Sequence, residues 1–386
     1  MKIFYLSPTF HPAKSLGGPT ISSWAKCKLL SKSKNQVDVY TTNTDGDKRM
    51  EIANGQIKKI NKYFVIHYYN EIIRNYLSFG LYQKISFRLK NYDFIIIDDL
   101  FSGYSLMTLY LCIMMKKKFV IIPRGVLSKW SLNNGKKNIK FILIKFLIKP
   151  FQSKITWEAT SLEEKNQIKG IFNSSKIIIL NNGIELKNYQ KIKKLKKDMY
   201  LKKFAKEQFS NKKIITSLGR LHHVKNLDVL VTAFSKIYKK NKKLLLLIAG
   251  NDAGVKGDLL KLIKKLNICE SVKFVGHLNF SDKIKFLKGA DLFICISKSE
   301  NFANVVLEAT ACKTPSIVSQ NVPWKILEDY RCGKQIKVTR KNLIEAMEYY
   351  LKKKKATNNN YIKLAGKFDL NELIQKTDKI YKRINL

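Results

Sequence analysis

Arginine is scarce in this chain, and so are glycine, proline and acid. Of 386 residues only 8 are Arg, against 65 Lys, and 29 are acidic, which leaves a formal charge of +44. With 18 Gly and 7 Pro, collagen-like and low-complexity architectures are excluded. The six cysteines (27, 112, 269, 295, 312, 332) form no C-x-x-C pair and lie beside no His at ligand spacing. Several sit in apolar runs such as Phe293-Ile294-Cys295-Ile296, where free Cys packs as a small hydrophobe. That pattern reads as reduced thiols of a cytosolic protein, with no zinc and no disulfide framework. Long apolar runs are missing too. The longest uncharged stretch, Leu100 to Met115, is broken by Ser102 and Gly103 and falls short of the ~20 residues a membrane span needs. Met1 to Leu6 is too short for a signal peptide. The expectation is a soluble or peripheral protein.

What is present is a globular composition. Hydrophobic residues make up 45%, and 21 Phe and 18 Tyr supply enough apolar surface to exclude disorder over most of the chain. The length suggests two domains, at roughly 150 residues each. The charge admits three readings: a polyanionic nucleic acid, an anionic membrane surface, or compositional drift toward Lys, Ile and Asn with no partner at all. Shortage of Arg, which reads bases and phosphates in bidentate fashion, weighs against nucleic acid.

Short apolar runs alternate with helical patterns. In the first half strands are expected at 2–7, 36–42, 63–69, 93–98, 119–123, 154–159 and 177–180, with helices such as 20–34, 104–115 and 136–149 between them. Residues 187–213 then hold eleven Lys and no Gly or Pro, which marks a connecting segment, partly helical, and a domain boundary. Alternation restarts with strands at 214–218, 244–249, 272–276, 291–296, 315–319 and 335–338, and helices at 226–239, 257–266, 281–288, 303–312 and 341–353. Residues 358–384 read as one or two helices. Near-continuous apolar strands separated by helices mean parallel sheets covered on both faces. The fold class is therefore α/β, with two successive doubly wound units. Such sheets bind ligands beyond the carboxyl ends of their strands, and two of them face to face would hold a ligand in a central cleft.

Three segments offer chemistry. Gly17-Gly18-Pro19 follows the first strand and opens a helix, where free N–H groups can meet an anion; it can equally be a plain loop, and G-x-G-x-x-G is absent. Ser217-Leu218-Gly219-Arg220 leads through Lys225 into a helix. Two cations and a helix dipole there suit a diphosphate without metal, whereas two solvated charges are the alternative. His222 and His223 read as loop structure. Glu300 to Glu308, seven residues between the two carboxylates, follows the apolar strand 291–296. Glu300 falls in the loop and Glu308 two turns into the helix, as sugar-binding carboxylates or as a cap and a surface charge.

Taken together, Gly-Gly near the N-terminus, Gly219-Arg220-x4-Lys225 and Glu300-x7-Glu308 resemble a GT-B fold glycosyltransferase of family 4. The resemblance is dense from about 213 to 332, through Ile248-Ala249-Gly250, Phe274-Val275-Gly276-His277, Ala290-Asp291-Leu292-Phe293 and Ala311-Cys312-Lys313-Thr314-Pro315. It is thinner before, at Ile122-Pro123-Arg124-Gly125-Val126 and Leu180-Asn181-Asn182-Gly183-Ile184-Glu185. Pro123-Arg124-Gly125 with Trp130, and Pro323-Trp324 before Cys332-Gly333, are similar to a bacterial branch that builds surface polysaccharides such as lipopolysaccharide, O-antigen or capsule.

The resemblance implies two Rossmann-like domains facing a cleft: an acceptor-side domain over 1–186, a basic linker over 187–212, a donor domain over 213–365, and a C-terminal helix over 366–386 that packs back on the first domain. It implies a retaining transferase taking a UDP- or GDP-sugar, needing no cofactor and no metal, with a glycan or lipid-linked acceptor and an anionic membrane surface as further partner, on the inner face of the cytoplasmic membrane. Arg220 and Lys225 would bind the diphosphate and act catalytically with Glu300, which touches the donor sugar. Backbone of Phe302, Ala303, Asn304 and Val305 would cradle the phosphates. Glu308 would hold the ribose, and Gly250, Val275 and His277 would border the base, with Gly17, Gly18 and Gly219 as close-approach glycines. Two positions depart from the family pattern. Arg124 stands where a catalytic His is usual and cannot act as a base, leaving phosphate or substrate orientation as its role. Ala303 replaces a usual Gly. The basic apolar stretch 136–149 reads either as an interfacial helix or as a core helix with solvated Lys. Rival functions are a nucleic-acid-binding protein and another nucleotide-sugar enzyme such as an epimerase or dehydrogenase; the second would need the dinucleotide fingerprint.

Overall fold

Lys2–Thr9, Phe94–Ile97 and Leu244–Ala249 are strands whose side chains are almost all buried, on both faces. That burial organises the computed structural model, which describes residues 1–13, 17–135, 137–207, 211–352 and 356–385. The chain forms two units, Met1–Gly183 with Leu370–Leu386, and Ile184–Asp369.

In the first unit eight strands run in the order Lys176–Ile179, Thr156–Ala159, Lys118–Ile121, Phe94–Ile97, Lys2–Thr9, Gln36–Thr42, Phe64–Tyr69, Ile57–Asn61. Side chains alternate between two cores, as the period of a strand requires. Phe4, Leu6, Ile95 and Ile97 enter one, and Ile3, Tyr5, Phe94 and Ile96 the other. All pairings are parallel except the last, where Ile57–Asn61 turns back antiparallel on Phe64–Tyr69. The expectation of a purely parallel sheet is corrected there: this edge strand is exposed and polar and shows no apolar run.

The second unit repeats the scheme with six parallel strands, Val272–Gly276, Leu244–Ala249, Lys213–Leu218, Leu292–Cys295, Ser316–Ser319 and Gly333–Ile336 in spatial order. Leu245, Leu247 and Phe293 face one core; Leu244, Leu246 and Ile294 face the other. Truncating any of these to Ala would cost about 2–5 kcal/mol.

Two expectations change. Residues 187–207, helical in part as expected, belong to the second unit and are not a separate linker. Helices Leu186–Lys191 and Lys197–Phe204 insert Tyr189, Tyr200, Leu201 and Phe204 into the second unit's core, and Tyr200 donates to the Phe286 carbonyl at 2.9 Å. The lysines lie outward and mask this apolar stripe in a composition count. The stretch 136–149 is not one α-helix. It is α-helical over Lys137–Ile142, widens to π geometry over Leu143–Ile148 and tightens to 3-10 geometry over Lys149–Lys154. The change precedes Pro150, which has no N–H to continue the α ladder. Lys136 lies outside the described residues.

The last helix, Leu370–Asn385, belongs to the first unit. Tyr381 donates its hydroxyl to fully buried Glu158, whose other oxygen pairs with Lys26. Asn35 donates to Asp378 at 2.7 Å.

Candidate nucleotide-sugar site

The site is assembled at the carboxyl end of the second sheet. Three strands end there in glycines with positive φ: Gly219 (151°), Gly250 (141°) and Gly276 (79°). Gly219 N–H donates to the Ala249 carbonyl at 3.0 Å, and Gly250 N–H to the Gly276 carbonyl at 2.8 Å. A Cβ on Gly250 would stand 1.8 Å from the Gly219 oxygen, backbone against backbone. Only Gly fits, and the loops are thereby held flat and close.

After Gly219 the chain passes exposed Arg220, a 3-10 turn at His223–Lys225, and Asn226, whose left-handed φ of 58° opens the helix Leu227–Lys240. His222 accepts from the Val224 N–H at 3.2 Å, a loop role. The turn returns Lys225 beneath Gly219, so that its ammonium lies 2.5 Å from Glu300 Oε1. Side-chain exposures of 20% and 15% leave both groups open to a ligand but poorly hydrated. Burial pulls the Lys225 ammonium down, and the Glu300 carboxylate more than offsets it, so the group titrates above its ordinary value. Ser297 donates to the same Glu300 oxygen at 2.7 Å, and Ser319 fixes the Ser297 carbonyl at 2.6 Å. Cys295 lines this pocket too; burial pushes its thiol up to about 11, so it stays neutral.

Beyond Glu300 the helix Asn304–Ala311 begins. Its cap, Ala303, has φ 59° and ψ 64° and offers no side-chain bond to the first turn. That left-handed conformation is the physical reason Gly suits the position. Phe302 turns inward against Trp324 and Phe368, and Trp324 Nε1 donates to its carbonyl at 2.5 Å. Its expected contribution is therefore backbone only. Glu308 is buried: Oε1 pairs with Lys283 and accepts from Tyr189 at 3.3 Å, while buried Oε2 has no hydrogen-bond partner among the described residues. A buried carboxylate oxygen without a donor is costly, and it is what a ligand hydroxyl would satisfy. Val275 is half-buried and His277 exposed at the end of their strand.

The remaining candidates are in the first unit. Gly17, with φ 64°, caps the helix Gly18–Lys32, and open space surrounds the place of its missing side chain. Arg124 is held from several sides. Its side chain is 9% exposed and its guanidinium grips Asp98 in bidentate fashion, Nε at 2.5 Å and Nη2 at 2.9 Å. Nη2 also donates to Ser23 at 3.1 Å. Asp98 accepts from Tyr5 at 2.5 Å and from Ser23. Burial opposes ionisation of Asp98, but the Arg124 charge wins and holds its carboxyl below the ordinary value. Arg124 thus ties together the ends of two buried strands.

Ser297, Lys283, Tyr189 and Asp98 were not among the sequence candidates. Ser297 stands three residues before Glu300, a spacing that could have flagged it. Lys283 and Tyr189 reach Glu308 across 25 and 119 residues and leave no local signal. Among the described residues no three His, Cys, Asp or Glu side chains gather as a metal site would require.

Residues 199–368 match the family described as glycosyl transferases group 1. Alpha-monoglucosyldiacylglycerol synthase of Streptococcus pneumoniae is 29% identical over 150 residues, 37% of this chain. The match spans about a third of that enzyme's own length, 32%. The crystal structure of WaaG, a glycosyltransferase involved in lipopolysaccharide biosynthesis, superposes with a TM-score of 0.73 at 16% identity, covering 98% of this chain and 99% of that one. Anabaena HepE in complex with UDP-glucose superposes with a TM-score of 0.73 at 17% identity, covering 99% and 100%. Residues 199–368 are thus similar to glycosyl transferases group 1, and the chain as a whole has the GT-B fold of its structural neighbours.

Proposed function

We propose that this protein is a retaining glycosyltransferase of family 4 that moves a sugar from a UDP- or GDP-sugar to a glycan or lipid-linked acceptor in bacterial surface-polysaccharide assembly, at the inner face of the cytoplasmic membrane. The observation that carries the reading is the Lys225–Glu300 pair beneath the glycine-lined strand ends, with Arg220 exposed beside it. The ammonium and guanidinium meet the diphosphate, and N–H groups at the start of Asn304–Ala311 add to that positive field. Glu308 Oε2 accepts from a ribose hydroxyl. Glu300 accepts from the donor sugar.

In the reaction the bond between the anomeric carbon and the diphosphate oxygen breaks, and a bond from the acceptor hydroxyl oxygen forms on the same face. The acceptor proton passes to the departing phosphate oxygen, so no side-chain base is needed. Fixed positive charge at the leaving group lowers the barrier electrostatically, with no metal in the scheme. HepE, crystallised with UDP-glucose, supports the donor class. The lipid named in the S. pneumoniae relative and the lipopolysaccharide pathway of WaaG support the acceptor class.

Titrating UDP and GDP calorimetrically tests the site. Lys225→Ala should weaken binding by ~10-fold or more, about 1.5–3 kcal/mol for a charge-assisted contact, and Arg220→Ala should weaken it too. Unchanged affinity in both variants would sink the assignment, and activity lost in EDTA and restored by a divalent ion would sink the metal-free scheme.

A further inference from the structure

Among the described residues, the polar partners of the Glu308 carboxylate converge on one oxygen. Lys283, from the helix Phe280–Gly289, pairs with Oε1. Tyr189, from the helix Leu186–Lys191, donates to the same atom at 3.3 Å. The side chains of Lys283 and Glu308 are 13% and 4% exposed, and Tyr189 is buried. Oε2, in the same buried place, has no hydrogen-bond partner among the described residues.

The asymmetry is built by the fold. Lys283 and Tyr189 reach Glu308 from two different helices, 25 and 119 residues away in the chain, so no local turn accounts for it. Phe280 ties the two donors together: its ring packs edge-on against Tyr189, 5.5 Å between centroids, and the Lys283 ammonium lies 5.8 Å from its centre. A buried carboxylate without a counter-charge takes up a proton, and a protonated carboxyl gives up acceptor capacity. Lys283 supplies that counter-charge. Lys288, further along the same helix, is tied to the Ile192 carbonyl at 2.6 Å. Burial pushes the neighbouring Cys312 thiol up to about 12, so it stays neutral. Burial and then the Glu308 charge push the Tyr189 phenol up, so it keeps its proton and donates it. Two fixed donors on Oε1 hold the carboxylate in one orientation and leave Oε2 as its open acceptor.

We propose that Lys283 and Tyr189 are a positioning pair that makes this site selective for ribonucleotides: they occupy Glu308 Oε1 so that Oε2 faces a ribose hydroxyl, and a nucleoside diphosphate without ribose hydroxyls is rejected. This rests on the donor-site reading of the second unit. A site that pairs a buried acceptor with a ligand hydroxyl discriminates against the analogue lacking it, because the acceptor is then left unpaired.

Calorimetric titration of the full chain with UDP, GDP and their dideoxy counterparts, which lack both ribose hydroxyls, tests it. The readout is the ratio of dideoxy to ribose dissociation constants. The parent should favour ribose by about tenfold or more, the worth of a hydrogen bond to a charged group. Glu308→Gln should bring the ratio down to about two or less, and Lys283→Met to about three or less. Removing the Lys283 charge weakens attraction for any diphosphate, but that effect is common to both nucleotides and cancels in the ratio. Tyr189→Phe deletes only a hydroxyl and should lower the ratio about threefold, which keeps the test decisive if Lys283→Met does not fold. Lys283→Met with Glu308→Gln should bind as Glu308→Gln alone does, within about twofold, because the lysine acts through the carboxylate. A parent that binds neither nucleotide, or binds both forms equally, removes the assignment of Glu308 to the ribose and this inference with it. A parent and a Glu308→Gln variant that behave as expected, beside Lys283→Met and Tyr189→Phe variants that keep the parent's ratio, overturn the inference alone. Losses that add in the double variant overturn it as well, since the lysine would then touch the nucleotide itself.

Discussion

Glu300 lies against the ammonium of Lys225, so the carboxylate assigned to the sugar is also the counter-charge of the cation assigned to the diphosphate. Replacing it by Gln removes a negative charge from the phosphate's neighbourhood. Glu300→Gln should therefore lower turnover while holding nucleoside diphosphate affinity steady or raising it a few-fold. Glu308→Gln should lower that affinity about tenfold, because the orphan Oε2 is the proposed ribose acceptor. Calorimetry with UDP and GDP decides; equal losses in both variants would mean the roles are not separate. Gly250→Ala makes a sharper demand. Its new methyl would collide with the Gly219 backbone, so urea denaturation should show a loss of about 2–4 kcal/mol. A loss under ~1 kcal/mol would mean the strand ends are not so close. Gly219, Arg220, Lys225, Glu300 and Glu308 were legible because each falls within a few residues of a strand end or helix start. Their supports were not: Lys283 and Tyr189 meet Glu308 only through the fold, and the Asp98 that holds Arg124 lies 26 residues away in the chain.

At the scale of elements, legibility followed burial. Strands covered on both faces, such as Phe94–Ile97 and Leu244–Ala249, are apolar runs that any reading finds. The exposed edge Ile57–Asn61 carries no such run. Helix Lys197–Phe204 buries Tyr200, Leu201 and Phe204 but also carries three Lys in its eight residues, which hide its core-facing stripe in a composition count. The return of Leu370–Asn385 to the first unit depends on a buried polar anchor, Tyr381 with Glu158 and Lys26. Tyr381→Phe leaves a Glu158 oxygen without its donor in a site that water does not reach. It should cost about 1–3 kcal/mol and speed amide exchange in 370–385 more than in the strands of the same unit. Exchange that is unchanged in that helix would show the anchor to be dispensable.

For the whole molecule the governing quantity is the charge of +44. Like charges distributed over one surface repel and destabilise the compact state, and salt screens them over a Debye length of ~10 Å at 0.1 M. The buried pairs Arg124–Asp98 and Lys26–Glu158 lie out of solvent and are screened far less. Moving from about 20 to 200 mM NaCl should therefore relieve repulsion without weakening the internal pairs. The melting temperature should rise by ~2–4 °C, corresponding to about 1 kcal/mol for a unit of roughly 190 residues that unfolds on its own. A fall would mean that surface ion pairs such as Lys203–Asp282 and Lys240–Glu348 outweigh the repulsion, which their exposure argues against. The same titration in the presence of random duplex DNA separates a nucleic-acid binder from a protein that is merely basic. A genuine binder would gain stability from DNA at low salt and lose that gain steeply as salt rises, whereas here DNA should shift the melt no more than an unrelated basic protein's.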